Sequence, residues 1–247
     1  MDKVLYLGMS GARENMLSQQ AHANNLANAT TTGFKSDLAQ ARAMQVFGEG
    51  HPSRVYAMSE RPATNTDSGT LMETGRQLDV AIQGEGWIAV QAPDGTEGYT
   101  RAGELQIDAQ GRIVTGSGLP VIGNGGEPIA LPPIEQIDIA NDGSITVREQ
   151  GAAANELILV DSIKLVKPDD GTLFKGVDGL MRTDNQQPLL PALDVQIRSG
   201  YLESSNVNGV SELTSMISLS RQFEMHIKMM KTAEDNSTAA TKILQLS

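Results

Sequence analysis

Apolar residues recur every three or four positions at both ends of the chain and every second position through its middle. Near the start, Leu5, Met9, Ala12, Met16, Ala23 and Leu26 form a narrow stripe at helical period. Toward the end, Leu213, Met216, Leu219, Phe223, Ile227, Met230, Ala233, Ala240 and Leu244 do the same, with spacings alternating near three and four. From residue 76 the period falls to two. Leu78, Val80 and Ile82 alternate with polar neighbours, and Trp87-Ile-Ala-Val90 follows. Short apolar groups then recur at 99–101, 105–107, 112–114, 119–122, 129–131, 137–139, 145–147, 157–166 and 195–197. Asp94-Gly95, Asp108-Ala-Gln-Gly111 and Gly123-Asn-Gly-Gly126 punctuate them as turns. The pattern predicts an α+β fold: helical ends over 1–35 and 200–247, and a central antiparallel all-β domain over 76–199. Between them, 36–75 sustains neither period and carries glycine- and proline-bearing stretches. It reads as an irregular or extended arm, either a disordered linker or a segment ordered only against neighbouring subunits.

The first helix meets a planned stop. Asn24-Asn25-Leu26-Ala27-Asn28 offers side-chain amides that compete for backbone hydrogen bonds, and the β-branched Thr30, Thr31 and Thr32 continue a helix poorly. Gly33 then permits a positive φ that would close the helix exit, followed by one apolar anchor, Phe34, and one charge, Lys35. On this reading a side chain at 33 disturbs assembly and leaves the β domain's own stability unchanged. At the other end, Gly200-Tyr-Leu202-Glu203-Ser-Ser205-Asn206-Val207 supplies polar turn residues ahead of a helix that Asn208 is placed to cap.

Composition narrows the chemistry. The 247 residues include no cysteine, which removes disulfides and thiolate zinc sites. The net charge is −11, yet residues 1–35 and 200–247 together hold seven acidic and seven basic side chains, so the whole acidic excess lies in the middle. Such a surface repels phosphates and argues against nucleic acid. No apolar run of about 18 residues exists to span a membrane. The start, Met1-Asp2-Lys3-Val4-Leu5, lacks the pattern of a cleavable secretory signal and by itself reads as cytoplasmic. His22, His51 and His226 are too scattered to suggest a metal or a catalytic triad, and Gly84-Glu-Gly86 has no phosphate-loop continuation. Asp138, Asp142, Gly143 and Glu149 fill positions one, five, six and twelve of a calcium loop, but Ala140 stands at position three and the flanks alternate as strands; a hairpin turn is expected. The sequence thus offers no catalytic, cofactor or metal site.

What it does offer is a resemblance. The string 24–28 followed by Thr31-Thr32-Gly33-Phe34-Lys35 resembles the amino-terminal signature of the bacterial flagellar rod and hook axial proteins, with Thr30 where asparagine is common. Leu78-Asp79-Val80-Ala81-Ile82, Gly84, Gly86-Trp87 and Tyr99-Thr100-Arg101-Ala102-Gly103 are similar to their central pattern, and 200–207 to their carboxy-terminal signature. The stretch 221–228 looks most like the proximal-rod members. The resemblance implies a non-enzymatic structural subunit whose terminal helices pair, coiled-coil-like, and pack with those of other copies and neighbouring rod subunits into a torque-transmitting helical tube, the β domain outside. It also implies export by the flagellar type III apparatus without a cleavable signal, and a place in the basal-body rod that crosses the periplasm, which overrides the cytoplasmic reading. Leu5, Met9, Met16, Leu213, Met216, Leu219, Phe223, Ile227, Met230 and Leu244, with the two signatures, become the residues expected to carry assembly. Two alternatives stay open: another axial subunit, such as a distal rod or hook protein, and, less favoured, a ligand-binding β protein or enzyme.

Overall fold

The computed structural model describes residues 2–38, 41–45, 55–59, 63–151, 156–169, 172–184 and 187–245. They sort into two units: one draws on 1–29, 36–65 and 207–247, the other on 30–35 and 66–206. His51 and the side chain of Leu244 lie outside the described residues.

The helical unit contains α1 (Asp2–Ala27), β1 (Asp37–Leu38), β2 (Ala41–Gln45), β3 (Val55–Ser59), β4 (Ala63–Thr64) and α2 (Gly209–Gln245). The helices run antiparallel, since Gly8 lies against Met230, Gly11 against His226, and His22 pairs with Glu212. Small residues make the contact. A Cβ on Gly8 would come within 2.7 Å of Met230 Cγ, and Ala12 beside Gly11 is buried. Helix packing is set by the side chains at the contact, and the glycines of α1 leave room for Met230 and His226 of α2. Met9 and Met16, from the predicted stripe, instead stand 55% and 59% exposed.

Both helix ends follow from their sequences. Asn208 Oδ1 accepts hydrogen bonds from the Val210 and Ser211 amides at 3.1 and 3.2 Å, the N-cap expected, and Glu212 adds a carboxylate to the first turn. At the end of α1, the Asn28 amide donates to Asn24 O at 2.9 Å. Buried Asn25 donates to Asp37 O at 2.9 Å and accepts from Asp37 N at 2.8 Å, which ties β1 to the helix terminus. The arm is therefore paired where it is described: β1 with β4 and β2 with β3, both antiparallel.

The β unit contains β5 (Leu71–Glu73), β6 (Val80–Gln83), β7 (Trp87–Gln91), β8 (Glu97–Thr100), β9 (Leu105–Ile107), β10 (Ile113–Thr115), β11 (Ile134–Ile139), β12 (Ser144–Glu149), β13 (Ile158–Ser162), β14 (Leu165–Val166), β15 (Leu173–Lys175), β16 (Met181–Thr183), β17 (Gln196–Ser199) and β18 (Tyr201–Glu203). Its largest sheet has the order β14-β7-β8-β16-β15, and β11-β12-β13 forms a second. β6 pairs with β17, β5 with β18 and β9 with β10, every ladder antiparallel. The stretches 119–122 and 129–131, read as strands, make only isolated bridges, such as Val121 to Val90 and Ile122 to Pro128. Proline has no amide to donate, so Pro120 and Pro128 interrupt any longer ladder. The suspected calcium loop is the β11–β12 hairpin turn. Gly143 takes φ 87° there, and Ser144 N donates to Asp142 Oδ1 at 3.0 Å.

Both faces of β7 are buried. Ile88 and Val90 join a core with Val80, Leu105, Ile113, Ile145 and Ile197, while Trp87 and Ala89 join Tyr99, Val166 and Met181. The Tyr99 hydroxyl accepts the Leu189 amide at 2.9 Å, which satisfies the polar end of a buried ring.

This packing sets a contrast. Leu105→Ala, at a side chain 0% exposed, should cost about 2–5 kcal/mol. Leu193→Ala, 98% exposed, should stay within about 0.5 kcal/mol. Urea denaturation followed through the single tryptophan, Trp87, measures both.

Candidate functional site

Three strings far apart in sequence, 30–35, 99–103 and 200–206, meet inside the β unit. Their meeting point is Glu203, the last residue of β18, whose side chain is 1% exposed. Its Oε1 accepts Lys35 Nζ at 2.6 Å and the Gly69 amide at 2.8 Å; its Oε2 accepts an Arg101 guanidinium nitrogen at 2.9 Å. Lys35 and Arg101 are each 3% exposed. Lys35 also donates to Asp67 O at 2.7 Å, and Arg101 to Gly84 O at 2.8 Å while lying 5.4 Å from the centre of the Trp87 ring.

Backbone contacts reinforce the ion triad. Gly33 N donates to Glu203 O at 2.8 Å, and Asn206 N to Phe34 O at 3.3 Å. Asn206 Nδ2 reaches Asp67 O at 3.1 Å. Lys175, at the end of β15, donates to Lys35 O at 2.9 Å and stands 3.9 Å from the Phe34 ring centre.

Burial by itself raises the Glu203 carboxyl, but the hydrogen bond from Lys35, the Arg101 charge and the Gly69 amide outweigh it and hold the group below its ordinary value. Burial lowers Lys35, opposed by Glu203. Two cations and one anion thus share a dry pocket with both carboxylate oxygens satisfied. This is chemistry for holding strands together: no group of the triad is aimed at a substrate, and among the described residues no three His, Asp or Glu side chains gather as a metal site.

Gly33 is a correction to the sequence reading. α1 ends at Ala27, and Gly33, with φ 68°, turns against the β unit. A Cβ there would overlap the Arg101–Ala102 peptide, so the glycine is demanded by packing as well as by backbone conformation. Gly69 is similar, for a Cβ on it would overlap the Ser204 carbonyl oxygen.

The other candidate residues divide by location. In the amino-terminal signature Asn25 is buried, Leu26 and Asn28 are half-buried, and Asn24 and Ala27 are exposed; Leu5 is half-buried on α1. On α2, Met216, Leu219, Phe223 and Met230 are half-buried, and Leu213 and Ile227 exposed. In the carboxy-terminal signature, Gly200 N donates to Asp79 O at 2.7 Å and Leu202 is buried opposite Met72; Ser205, Asn206 and Val207 are half-buried. The triad brings together Lys35 and Glu203 from the candidate set with Arg101, which the sequence reading named only as part of the central pattern and gave no role. Nothing in the spacing signalled their convergence; the one cue is that each charge sits inside a motif string, two of them beside the large apolar residues Phe34 and Leu202.

Residues 198–243 match the family model described as flagellar basal body rod FlgEFG protein C-terminal, and 81–148 the model described as flagellar hook protein FlgE/F/G D1 domain. Over its full length the chain is 40% identical to the flagellar basal-body rod protein FlgF of Escherichia coli and 39% identical to that of Salmonella typhimurium, each also covered in full. It is 30% identical to the flagellar basal-body rod protein FlgG of Agrobacterium fabrum, with 98% of this chain and 100% of that one covered.

Glu203→Ala should remove about 3–5 kcal/mol from the β unit, since it leaves two buried cations without a counter-charge. Glu203→Gln should change the pH profile. A carboxyl with a depressed folded pKa contributes fully above its unfolded value of 4.5 and loses that contribution as pH falls through the folded value. The wild type therefore weakens on acidification in a way the Gln variant does not, as urea titrations at a series of pH values would show. Gly33→Val should lower the β unit's thermal midpoint, and its destabilisation should exceed the roughly 1–2 kcal/mol of a left-handed penalty alone, because the side chain also meets the Arg101–Ala102 peptide.

Proposed function

The chain belongs to the family of flagellar basal-body rod proteins and is a structural subunit, not an enzyme; we propose that its place is the proximal rod, where copies of it and neighbouring subunits stack into a helical tube that transmits torque. The agreement with proteins named FlgF along the whole chain supports the proximal position. A second reading, another axial subunit such as a distal rod or hook protein, is kept because a FlgG protein also matches end to end.

The observation that carries the assembly reading is the apolar surface left on the helices. Met9 and Met16 on α1 and Leu213, Ile217, Met225 and Ile227 on α2 are exposed, although the two helices already pack on each other. A lone helix pair buries little and is marginal. Neighbouring helices, packed with coiled-coil-like spacing, would cover these positions, and head-to-tail contacts that do not close into a ring generate an open filament. In this proposal the helices are the assembly elements, the acidic β unit faces outward, and the arm is ordered further by neighbours. Export through the flagellar type III apparatus without a cleavable signal, and a final position across the periplasm, complete the proposal. No helix among the described residues is long and apolar enough to cross a membrane.

Met16→Asp tests it. The side chain is exposed in the single chain, so the purified variant should fold with an unchanged thermal midpoint. In the tube the carboxylate would be buried unpaired, at a cost of several kcal/mol per subunit. Cells carrying only this variant should lack complete rods in isolated basal bodies and should not swim. Normal rods and motility would contradict the assembly assignment.

A further inference from the structure

We infer that the β unit carries a slot for a peptide of glycine–aromatic–lysine chemistry, and that the segment 30–35 filling it can come from a second copy of this chain. The slot is a property of the β unit and owes nothing to the rod assignment.

The grouping of residues points to it first. The six residues 30–35 belong to the β unit, whereas those on either side, up to 29 and from 36, belong to the helical unit. A short peptide leaves one unit, is held by the other, and returns. Its last three residues are each read. The Gly33 amide donates to Glu203 O, and a side chain at that position would overlap the Arg101–Ala102 peptide, so the slot admits only glycine there. The Phe34 carbonyl accepts the Asn206 amide and its ring lies under the Lys175 ammonium. The Lys35 carbonyl accepts Lys175 Nζ, and its own ammonium enters the buried pocket between Glu203 Oε1 and Asp67 O. These are the components of a peptide-binding site: backbone pairing for affinity, with one steric exclusion and one buried charge for specificity.

The ligand is covalently attached on both sides, and exchange of an identical element between copies is a low-cost route to association. An attached ligand competes at a high effective concentration, so in the isolated wild-type chain the slot is filled from within. Where copies are crowded, the same string on a neighbour is an equivalent donor.

The test uses full-length chains and a synthetic ten-residue peptide with the sequence of positions 28–37. In Lys35→Glu the chain's own segment is expelled by the facing carboxylate, and in Phe34→Ala it is held more weakly without any change of charge. Both variants should bind the peptide saturably in calorimetry and gain thermal stability from it, at least about tenfold more tightly than the wild type does. Peptides carrying valine in place of the glycine, or glutamate in place of the lysine, should not bind. Mixing Lys35→Glu, which has a slot but no donor, with Glu203→Gln, which has a donor but an impaired slot, should give a one-to-one complex by light scattering that neither forms alone. Failure of the peptide to bind folded Phe34→Ala, or equal binding of the valine peptide, would overturn the slot. Peptide binding without the mixed complex would overturn exchange between copies.

Discussion

Burying the Glu203 carboxylate costs several kcal/mol in lost hydration, and the region around it is arranged to offset that cost. One oxygen takes Lys35 and the Gly69 amide, the other takes Arg101, and the Glu203 carbonyl takes Gly33. Four chain segments are thereby fixed to one another. The same demand explains why Gly33 and Gly69 cannot carry side chains: the strands must approach closely enough for the charges to meet. A buried ion triad need not stabilise a fold more than apolar residues of the same volume would. It does penalise any arrangement that leaves one partner behind, and so it specifies which segments lie together.

The helical unit obeys a different rule. Gly8 and Gly11 of α1 receive Met230 and His226 of α2, while Met9, Met16, Leu213, Ile217 and Met225 stay exposed. The β unit encloses Ile88, Leu105, Ile113 and Ile145 wholly, although Leu157, Leu159, Leu190 and Leu193 stand exposed on its surface. The β unit has an enclosed core of large apolar residues, whereas the buried apolar residues on the described parts of the two helices are Ala12 and Ala233.

Much of this was legible in the sequence because it depends on local period and turn chemistry. The strand holding Val80 and Ile82, the Asp142-Gly143 turn and the Asn208 cap each act over a few residues and are present in the structure, although Ala81, between Val80 and Ile82, is buried as well. What the sequence reading missed has physical causes. Pro120 and Pro128 sit in apolar stretches that look like strands but cannot donate to a ladder. The α1 stripe was read from its large residues, while the contact with α2 uses Gly8 and Gly11, which hydrophobic patterns do not register. Gly33 was read as a helix stop because its neighbours in sequence are helical; its neighbours in space, Arg101 and Glu203, are not deducible from spacing. The resemblance to axial proteins identified the right strings but said nothing of the charge pocket that joins them.

Amide hydrogen exchange on the monomeric chain tests the central claim, that residues 30–35 of the amino-terminal signature are held within the β unit. The Gly33 and Gly69 amides donate to Glu203, and the Ile113 amide donates to Ile129 O at 3.1 Å in the core. If the triad holds the segment in the slot of the isolated chain, the Gly33 and Gly69 amides should both exchange far more slowly than the unfolded-chain rate, with Gly33 no slower than Ile113. Exchange of Gly33 and Gly69 near the unfolded-chain rate while Ile113 stays protected would show that 30–35 is a loose tail and would contradict the account.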